Sequence, residues 1–480
     1  MPSTKNQQSE EPTLSRQDAM ETKLKAMEDR CRELERLVEH DPTTGLPIRR
    51  RFEGRLEELL NEAQGKHRRV AIAVLRLDRD YERIRNTRDR SRALLFKTGL
   101  RIQNVIGQNI YQSDRFDEFL LVLPATADGD ALRIVANRLI EEVSRPHEPP
   151  AQDVIFSCSI GLSTQLRHTM SRYDLVENAF VALEEAEEIG KPFVLYDDQL
   201  GARFREREQI TQFLRASIQE GFPGFRIVYQ PFVDAAGRIS GAEALVRWQH
   251  EELGAVSPGK FIPLAEQSGD IRFLSQWILY NACKEQREWR DAQGSDAYVS
   301  VNLSPAQFKL PDVVDRIHSL VEATGIDPNA LRLEITEGAA MQNPKDSIKK
   351  LQRLRRSGIR IAIDDFGTGY SSLSYLKEFP IDTLKIDRSF VVDVVNNPGN
   401  QAIIRAIVSM AKNLSIETLA EGAETPEEVA FLFETGCDKI QGYYYSPPVD
   451  VGRFQRFLSG AEPLAGPALK TASKATAERA

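Results

Sequence analysis

Ile361-Ala-Ile-Asp-Asp-Phe-Gly-Thr-Gly-Tyr370 decides how the chain reads. Three small or branched apolar residues read as a short buried strand. Asp364 and Asp365 follow where that strand must end. Gly367 and Gly369 then flank Thr368, the composition of a loop that turns tightly or lies against a ligand. Neighbouring like charges raise one another's pKa, so a divalent cation is the simplest partner that keeps both acids ionised. Taken alone, an Asp-Asp pair is more often two solvated acids in a turn. The rest of the sequence reverses that reading.

Outward from this stretch, over about residues 203–458, short apolar runs recur, each followed by a polar residue and a helical pattern. The runs are Ile227–Tyr229, Ala242–Val246, Tyr298–Val301, Leu331–Ile335, Ile359–Ile363, Thr383–Ile386, Thr418–Ala420 and Lys439–Ile440. Helical periodicity is plain at Phe273–Arg290, Val313–Thr324, Pro344–Ser357, Asn400–Asn413 and Pro426–Glu434. Strand–helix alternation over about 250 residues predicts a parallel TIM-like βα barrel, with functional groups at the C-terminal ends of the strands. Those ends carry Gln230, Glu243 with Arg247, Asn302, Glu334 with Glu337, Asp364 with Asp365, Lys385 with Asp387, Glu421 with Glu424, and Gln441. One acid at a strand end is ordinarily a helix cap or a solvated loop residue. Acids and amides from so many ends on one rim call for a ligand. Oxygen donors without His or Cys suit Mg²⁺ or Mn²⁺ and disfavour zinc.

Glu243-Ala-Leu245 with Arg247 resembles the naming motif of EAL-domain cyclic di-GMP phosphodiesterases. Val301-Asn-Leu-Ser304, Glu334-Ile-Thr-Glu337, Asp364–Leu373, Lys385-Ile-Asp387, Ala420-Glu-Gly-Ala-Glu424 and Gln441-Gly442 are similar to its other motifs, in order. Ala423, where Val is common, is an apolar swap. The resemblance implies that Glu243, Asn302, Glu334 and Asp364 hold one metal ion. Asp364 would bridge to a second ion completed by Asp365 and Glu421. Two such ions about 3.5–4 Å apart activate a water and clamp the oxygens of an in-line displacement. It further implies that Lys385, its pKa depressed beside two cations, assists that water. Arg247 would take a phosphate through its planar donor fork. Gln230, Leu245 and Gln441 would contact the dinucleotide, and Glu337 would anchor the loop 366–372. The implied reaction opens cyclic di-GMP to linear pGpG. A non-catalytic cyclic di-GMP receptor is the alternative, and retention of Asp365, Lys385 and Glu421 speaks against it.

Residues 41–198 read as a separate α/β domain. Its expected strands are Val70–Leu77, Phe119–Leu123 and Ile155–Gly161 in a central mixed sheet, with helices at Asp130–Val143 and Leu175–Ile189. Asp41–Phe52, Ser159-Ile-Gly161 and Lys191–Asp197 resemble motifs of the GGDEF diguanylate cyclase family. The signature stretch departs from it: Asp114-Arg-Phe-Asp-Glu-Phe119 lacks the two glycines that let backbone approach a nucleotide phosphate. Ile48 stands where the family has a guanine-contacting Asn. Arg76 and Asp78 compete for the place of its metal-binding Asp, and no product-inhibition Arg-x-x-Asp precedes the signature. The expectation is a retained fold without cyclase activity, serving dimerisation or signal relay.

The remaining segments frame these two. Residues 1–12 are polar and expected to be disordered, and 461–480 to form a flexible tail. Over 13–40, Met20, Leu24, Met27, Cys31, Leu34 and Val38 fall at alternating three- and four-residue steps, the seam of a helical, dimerising stalk. The barrel domain is expected over 199–460. Net charge is −8, which excludes a basic footprint for a nucleic-acid polymer. The four cysteines lack metal-like spacing. No run approaches the roughly 18 apolar residues of a membrane span, and no secretory apolar segment opens the chain. The expected setting is cytoplasmic and the expected assembly a homodimer.

Overall fold

The computed structural model describes residues 20–27, 30, 39–63, 69–78, 88–123, 129–147, 154–165, 170–367 and 373–465. They divide into two compact units, Met1–Glu206 and Arg207–Ala480. Among the described residues no helix is long and apolar enough to cross a membrane. Of the expected stalk seam, Met20, Leu24 and Met27 lie exposed on helix. Cys31, Leu34 and Val38 fall outside the described residues.

The first unit is built on β1 (Ala71–Leu77), β2 (Ile110–Gln112), β3 (Glu118–Leu123), β4 (Cys158–Thr164) and β5 (Phe193–Leu195), in the order β2-β3-β1-β4-β5. The sheet is mixed, since β4 and β5 are parallel and the other pairs antiparallel. Strand β1 reads as an unbroken apolar run because both its faces are covered. Ala71, Ala73 and Leu75 pack with Leu95 and Leu139 from one layer of helices, whereas Ile72 and Val74 pack with Phe52, Leu56 and Ala179 from the other. Helix Arg172–Glu188 presses so closely on β4 that a Cβ at Gly161 would stand 2.0 Å from the Ala179 carbonyl oxygen. That contact accounts for the glycine in Ser159-Ile-Gly161. The third strand begins at Cys158 rather than Ile155, and the three-residue β2 was too short to show a period.

The second unit is an eight-stranded barrel. Its strands are β6 (Phe225–Asp234), β7 (Ile239–His250), β9 (Tyr298–Asn302), β10 (Leu331–Thr336), β11 (Arg360–Phe366), β12 (Thr383–Ile386), β13 (Glu417–Glu421) and β14 (Lys439–Gln441). The short β8 (Gly254–Val256) extends β7 as a hairpin. Pairing of β6 with both β14 and β7 closes the barrel. The expected all-parallel sheet needs correction, because β6 runs antiparallel to both neighbours. The cause is in the connection: a parallel crossover needs a dozen or more residues, and between Asp234 and Ile239 there is only a turn. Asp234 Oδ1 accepts from the amides of Ala236 and Arg238, with Gly237 at φ 78°.

The strands alternate inward and outward. Outward Val299, Val301, Leu333, Ile335, Ile361, Ile363, Leu384 and Ile386 join Ile317, Leu351, Leu354, Ile404 and Val408 of the surrounding helices in the main core. The helices are punctuated locally. Thr425 and Glu428 form a reciprocal capping box around Pro426, and Gly436 ends that helix in left-handed backbone. Inside the barrel a thin apolar plug of Phe232, Tyr298 and Leu419 lies below the rim. Against its Tyr298 ring, Arg332 and Lys439 both pair with Glu417, at 3.0 and 2.7 Å. Gly241 faces the plug. A Cβ there would lie 2.6 Å from the Tyr298 carbonyl oxygen and 2.9 Å from its ring. Gly241→Ala should therefore destabilise the protein by about 1–3 kcal/mol through overpacking, read as a lower urea midpoint.

Candidate active site

The inward residues at the rim converge on one lysine. Lys385, in β12, is 1% exposed. Its Nζ lies 2.5 Å from Glu334 Oε2 on β10, 3.1 Å from Asp364 Oδ1 on β11, 2.5 Å from Glu421 Oε1 on β13 and 3.9 Å from Glu243 Oε2 on β7. Four carboxylates from four strands thus meet one ammonium. Asp364 Oδ1 and Glu421 Oε1 are buried without a hydrogen bond, so the lysine charge is what they face.

Amides and a hydroxyl hold the acids in place. Asn302 Nδ2 donates to Glu243 Oε1 at 2.6 Å, and Gln441 Nε2 donates to Glu243 Oε2 at 2.8 Å. The same Gln441 nitrogen donates to Gln230 Oε1 at 2.8 Å, while Gln230 Nε2 donates to the Ser446 carbonyl at 3.1 Å. Gln230 and Gln441 are buried and tied to each other and to Glu243. Ser300 Oγ donates to Glu334 Oε1 at 2.5 Å. The sequence reading missed Ser300, although it lies two residues before Asn302 and hence on the same strand face.

Two of the expected strand-end positions are not strand ends. Gln230 and Glu243 sit opposite each other in the middle of β6 and β7. Glu243 reaches the rim because β7 runs on beyond the barrel into its hairpin with β8. Asp364 and Asp365 are successive residues that a regular strand would aim to opposite faces. The β11–β12 register shifts between Ile363 and Phe366, and Asp365 takes a left-handed φ of 54°. Such a bulge re-aims side chains. Glu337 Oε2 accepts from the Gly367 amide at 2.9 Å, which fixes the start of the loop it was expected to anchor. Residues 368–372 lie outside the described residues. Arg247 is half-buried beside the half-buried Leu245 and donates to the Val246 carbonyl at 2.8 Å. Two further strand-end acids have other partners: Asp387 caps the turn at Ser389, and Glu424 pairs with Arg388 at 2.6 Å.

The electrostatics follow from one cation among four buried acids. Burial pushes the pKa of Lys385 down, but Glu243, Glu334, Glu421 and Asp364 outweigh it and hold the amine well above its ordinary value. The depressed pKa expected beside metal ions is thus reversed when the acids are the lysine's neighbours. Burial raises Glu334 to about 8, opposed by Lys385 and reinforced by Glu243 and Asp364. Glu421 is raised by burial in the same way, and Asp365 by burial and then by Asp364. Among the described residues no three His, Cys, Asp or Glu side chains form a ready-made metal cage. The donor set nevertheless fits hard cations. It is all oxygen, it carries surplus negative charge, and it already surrounds a positive charge.

A pH dependence with a definite sign results. An acid whose folded pKa exceeds its unfolded value holds a proton that the unfolded chain has lost, so stability falls as pH rises between the two. In chelator, the urea midpoint should therefore decline from about pH 4.5 towards pH 8, the window set by Glu334. Saturating Mn²⁺ should flatten or invert that decline, because ionised carboxylates bind it better.

A barrel with an antiparallel first strand and an acid-lined mouth defines the class, and comparison with known proteins gives the family. Residues 212–448 match the EAL domain model, and residues 38–192 match the model described as "Diguanylate cyclase, GGDEF domain". The chain belongs to the family of tandem GGDEF–EAL proteins. It is 34% identical over 423 residues to the bifunctional diguanylate cyclase/cyclic di-GMP phosphodiesterase MucR of Pseudomonas aeruginosa, covering 87% of this chain and 61% of MucR. It is 32% identical over 470 residues to the cyclic di-GMP phosphodiesterase NbdA of the same organism, covering 97% of this chain and 60% of NbdA. The chain thus spans about three-fifths of the length of these relatives. Among solved structures it is similar to the MucR phosphodiesterase in complex with c-di-GMP, with TM-score 0.50, 38% identity, 51% of this chain and 99% of that one. It is likewise similar to the EAL enzyme Bd1971 with cAMP and cyclic di-GMP bound, with TM-score 0.51, 30% identity, 64% of this chain and 82% of that one.

Proposed function

We propose that the chain is a divalent-metal-dependent phosphodiesterase that hydrolyses cyclic di-GMP to linear pGpG. The observation that carries this reading is the convergence of Glu243, Glu334, Asp364 and Glu421 on the Lys385 ammonium. Glu243, Asn302, Glu334 and Asp364 would hold one Mg²⁺ or Mn²⁺, and Asp364, Asp365 and Glu421 a second. Bound there, the ions would supply Lewis-acid stabilisation and lower the pKa of the attacking water. Asn302 and Gln441 orient Glu243 through its two oxygens. Arg247, at the edge of the cluster, offers its remaining donors to a phosphate. Gln230, Leu245 and Gln441 line the approach of the dinucleotide. Lys385 is the proton-handling group. Once the acids are neutralised, burial again favours the neutral amine, which can then orient or accept a proton from the water.

For the GGDEF unit we propose a fold kept without cyclase chemistry. Arg76 donates to Glu118 at 2.8 Å and pairs with Glu187 at 2.8 Å, so this candidate for the metal-binding position is a guanidinium already committed to two acids. Arg115 is engaged by Asp117 at 2.9 Å, and the hairpin closes without left-handed residues at Arg115 or Phe116. Ile48 lines the neighbouring cleft with Asp41, Arg49 and Gln112 and offers no hydrogen bond to a base. Dimerisation or signal relay, in the cytoplasm and as a homodimer, remains the role we assign to this unit and its stalk.

Purified full chain should convert cyclic di-GMP to pGpG in Mg²⁺ or Mn²⁺ and stop on addition of EDTA. Hydrolysis that persists in EDTA would sink the metal-dependent reading. Tight binding without turnover would favour the receptor alternative. The same protein incubated with GTP should release no cyclic product.

A further inference from the structure

Glu334 is gripped at both oxygens, and one grip comes from a residue with no assigned role. Oε2 faces Lys385, while Oε1 accepts from Ser300 Oγ at 2.5 Å. Ser300 is completely buried in β9. Its neighbours Val299 and Val301 turn outward into the main core, so Ser300 turns inward with Asn302. The register sets it opposite Arg332 on β10 and Glu243 on β7, one step below Glu334. From there its hydroxyl reaches diagonally up to the carboxylate. A buried hydroxyl is costly unless it is hydrogen-bonded, and its single proton here is committed to Oε1.

We propose that Ser300 is a positioning residue that stops the Glu334 carboxylate from rotating and so presents Oε2 to the cation at the rim. The inference rests on the metal-dependent reading above. A carboxylate held at one oxygen loses less rotational freedom when the other binds an ion. Outer partners of metal ligands commonly change metal affinity about 10–100-fold when removed.

The test uses the full chain, metal-stripped and then titrated with Mn²⁺ while free ion is read by electron paramagnetic resonance. Ser300→Ala should bind Mn²⁺ roughly 10–100-fold more weakly. It should also lose kcat at fixed subsaturating Mn²⁺ without a change in KM for cyclic di-GMP, and regain turnover as Mn²⁺ is raised. Ser300→Thr, which keeps the hydroxyl, should restore Mn²⁺ affinity. A Ser300→Ala protein that unfolds at lower temperature in EDTA yet binds Mn²⁺ like the wild type would overturn the proposal in favour of a purely structural serine. So would a Ser300→Thr protein as weak as Ser300→Ala. The parent reading fails differently, through a wild-type protein that neither binds Mn²⁺ nor turns over.

Discussion

Asp364→Ala should lower the proposed Mg²⁺-dependent turnover of cyclic di-GMP by about three orders of magnitude or more, since several kcal/mol of Lewis-acid stabilisation would be lost with the ion it is proposed to hold. Asp364 carries the largest expected effect because it is the one residue assigned to both ions. Its Oδ1 has no hydrogen bond and lies 3.1 Å from Lys385 Nζ. Removing it breaks no hydrogen bond at that oxygen and leaves Lys385 three other carboxylates, so urea unfolding in EDTA should stay near wild type. Steady-state kinetics across a Mg²⁺ titration provides the check. Turnover by Asp364→Ala within tenfold of wild type would remove Asp364 from the site.

Lys385→Met should act on stability and catalysis together, with opposite responses to metal. Without metal, the substitution leaves Glu243, Glu334, Asp364 and Glu421 facing one another with no cation among them. Breaking a buried pair in this way costs about 3–5 kcal/mol, read as a lower urea midpoint in EDTA at neutral pH. The deficit should shrink as pH falls, because the acids can then take up protons. Mn²⁺ should also recover it, since an ion that binds the folded state stabilises that state by mass action. Turnover should nevertheless stay low in Mn²⁺, because the proton-handling amine is gone. A variant equally stable with and without Mn²⁺ would show that the lysine is not standing where cations belong.

Most of the barrel was legible because its signals are local. The branched runs at Thr383–Ile386 and Leu331–Ile335 and the helix at Val313–Thr324 could each be found from period alone. Acids at successive strand ends then suggested one rim. Features that depend on distant partners were not legible. The reversal of β6 is the exception, since its cause is the local turn between Asp234 and Ile239 and not the strand's own residues. The bulge at Asp365 depends on β12, which no alternation within β11 reveals. Ser300 looked like a neutral residue in an apolar run, since its partner lies 34 positions away. The state of Lys385 required four acids to be placed before its sign could be judged. In the first unit the Arg76–Glu187 pair joins residues 111 positions apart, which no local pattern in the sequence reveals.

The most direct measurement is an anomalous-scattering map of crystals of the full chain grown or soaked with Mn²⁺. Two Mn²⁺ peaks should stand among Glu243, Asn302, Glu334, Asp364, Asp365 and Glu421, with the Lys385 amine moved off the acids it now touches. Crystals in which the amine keeps all four carboxylates at saturating Mn²⁺, and no peak rises between them, would contradict the account.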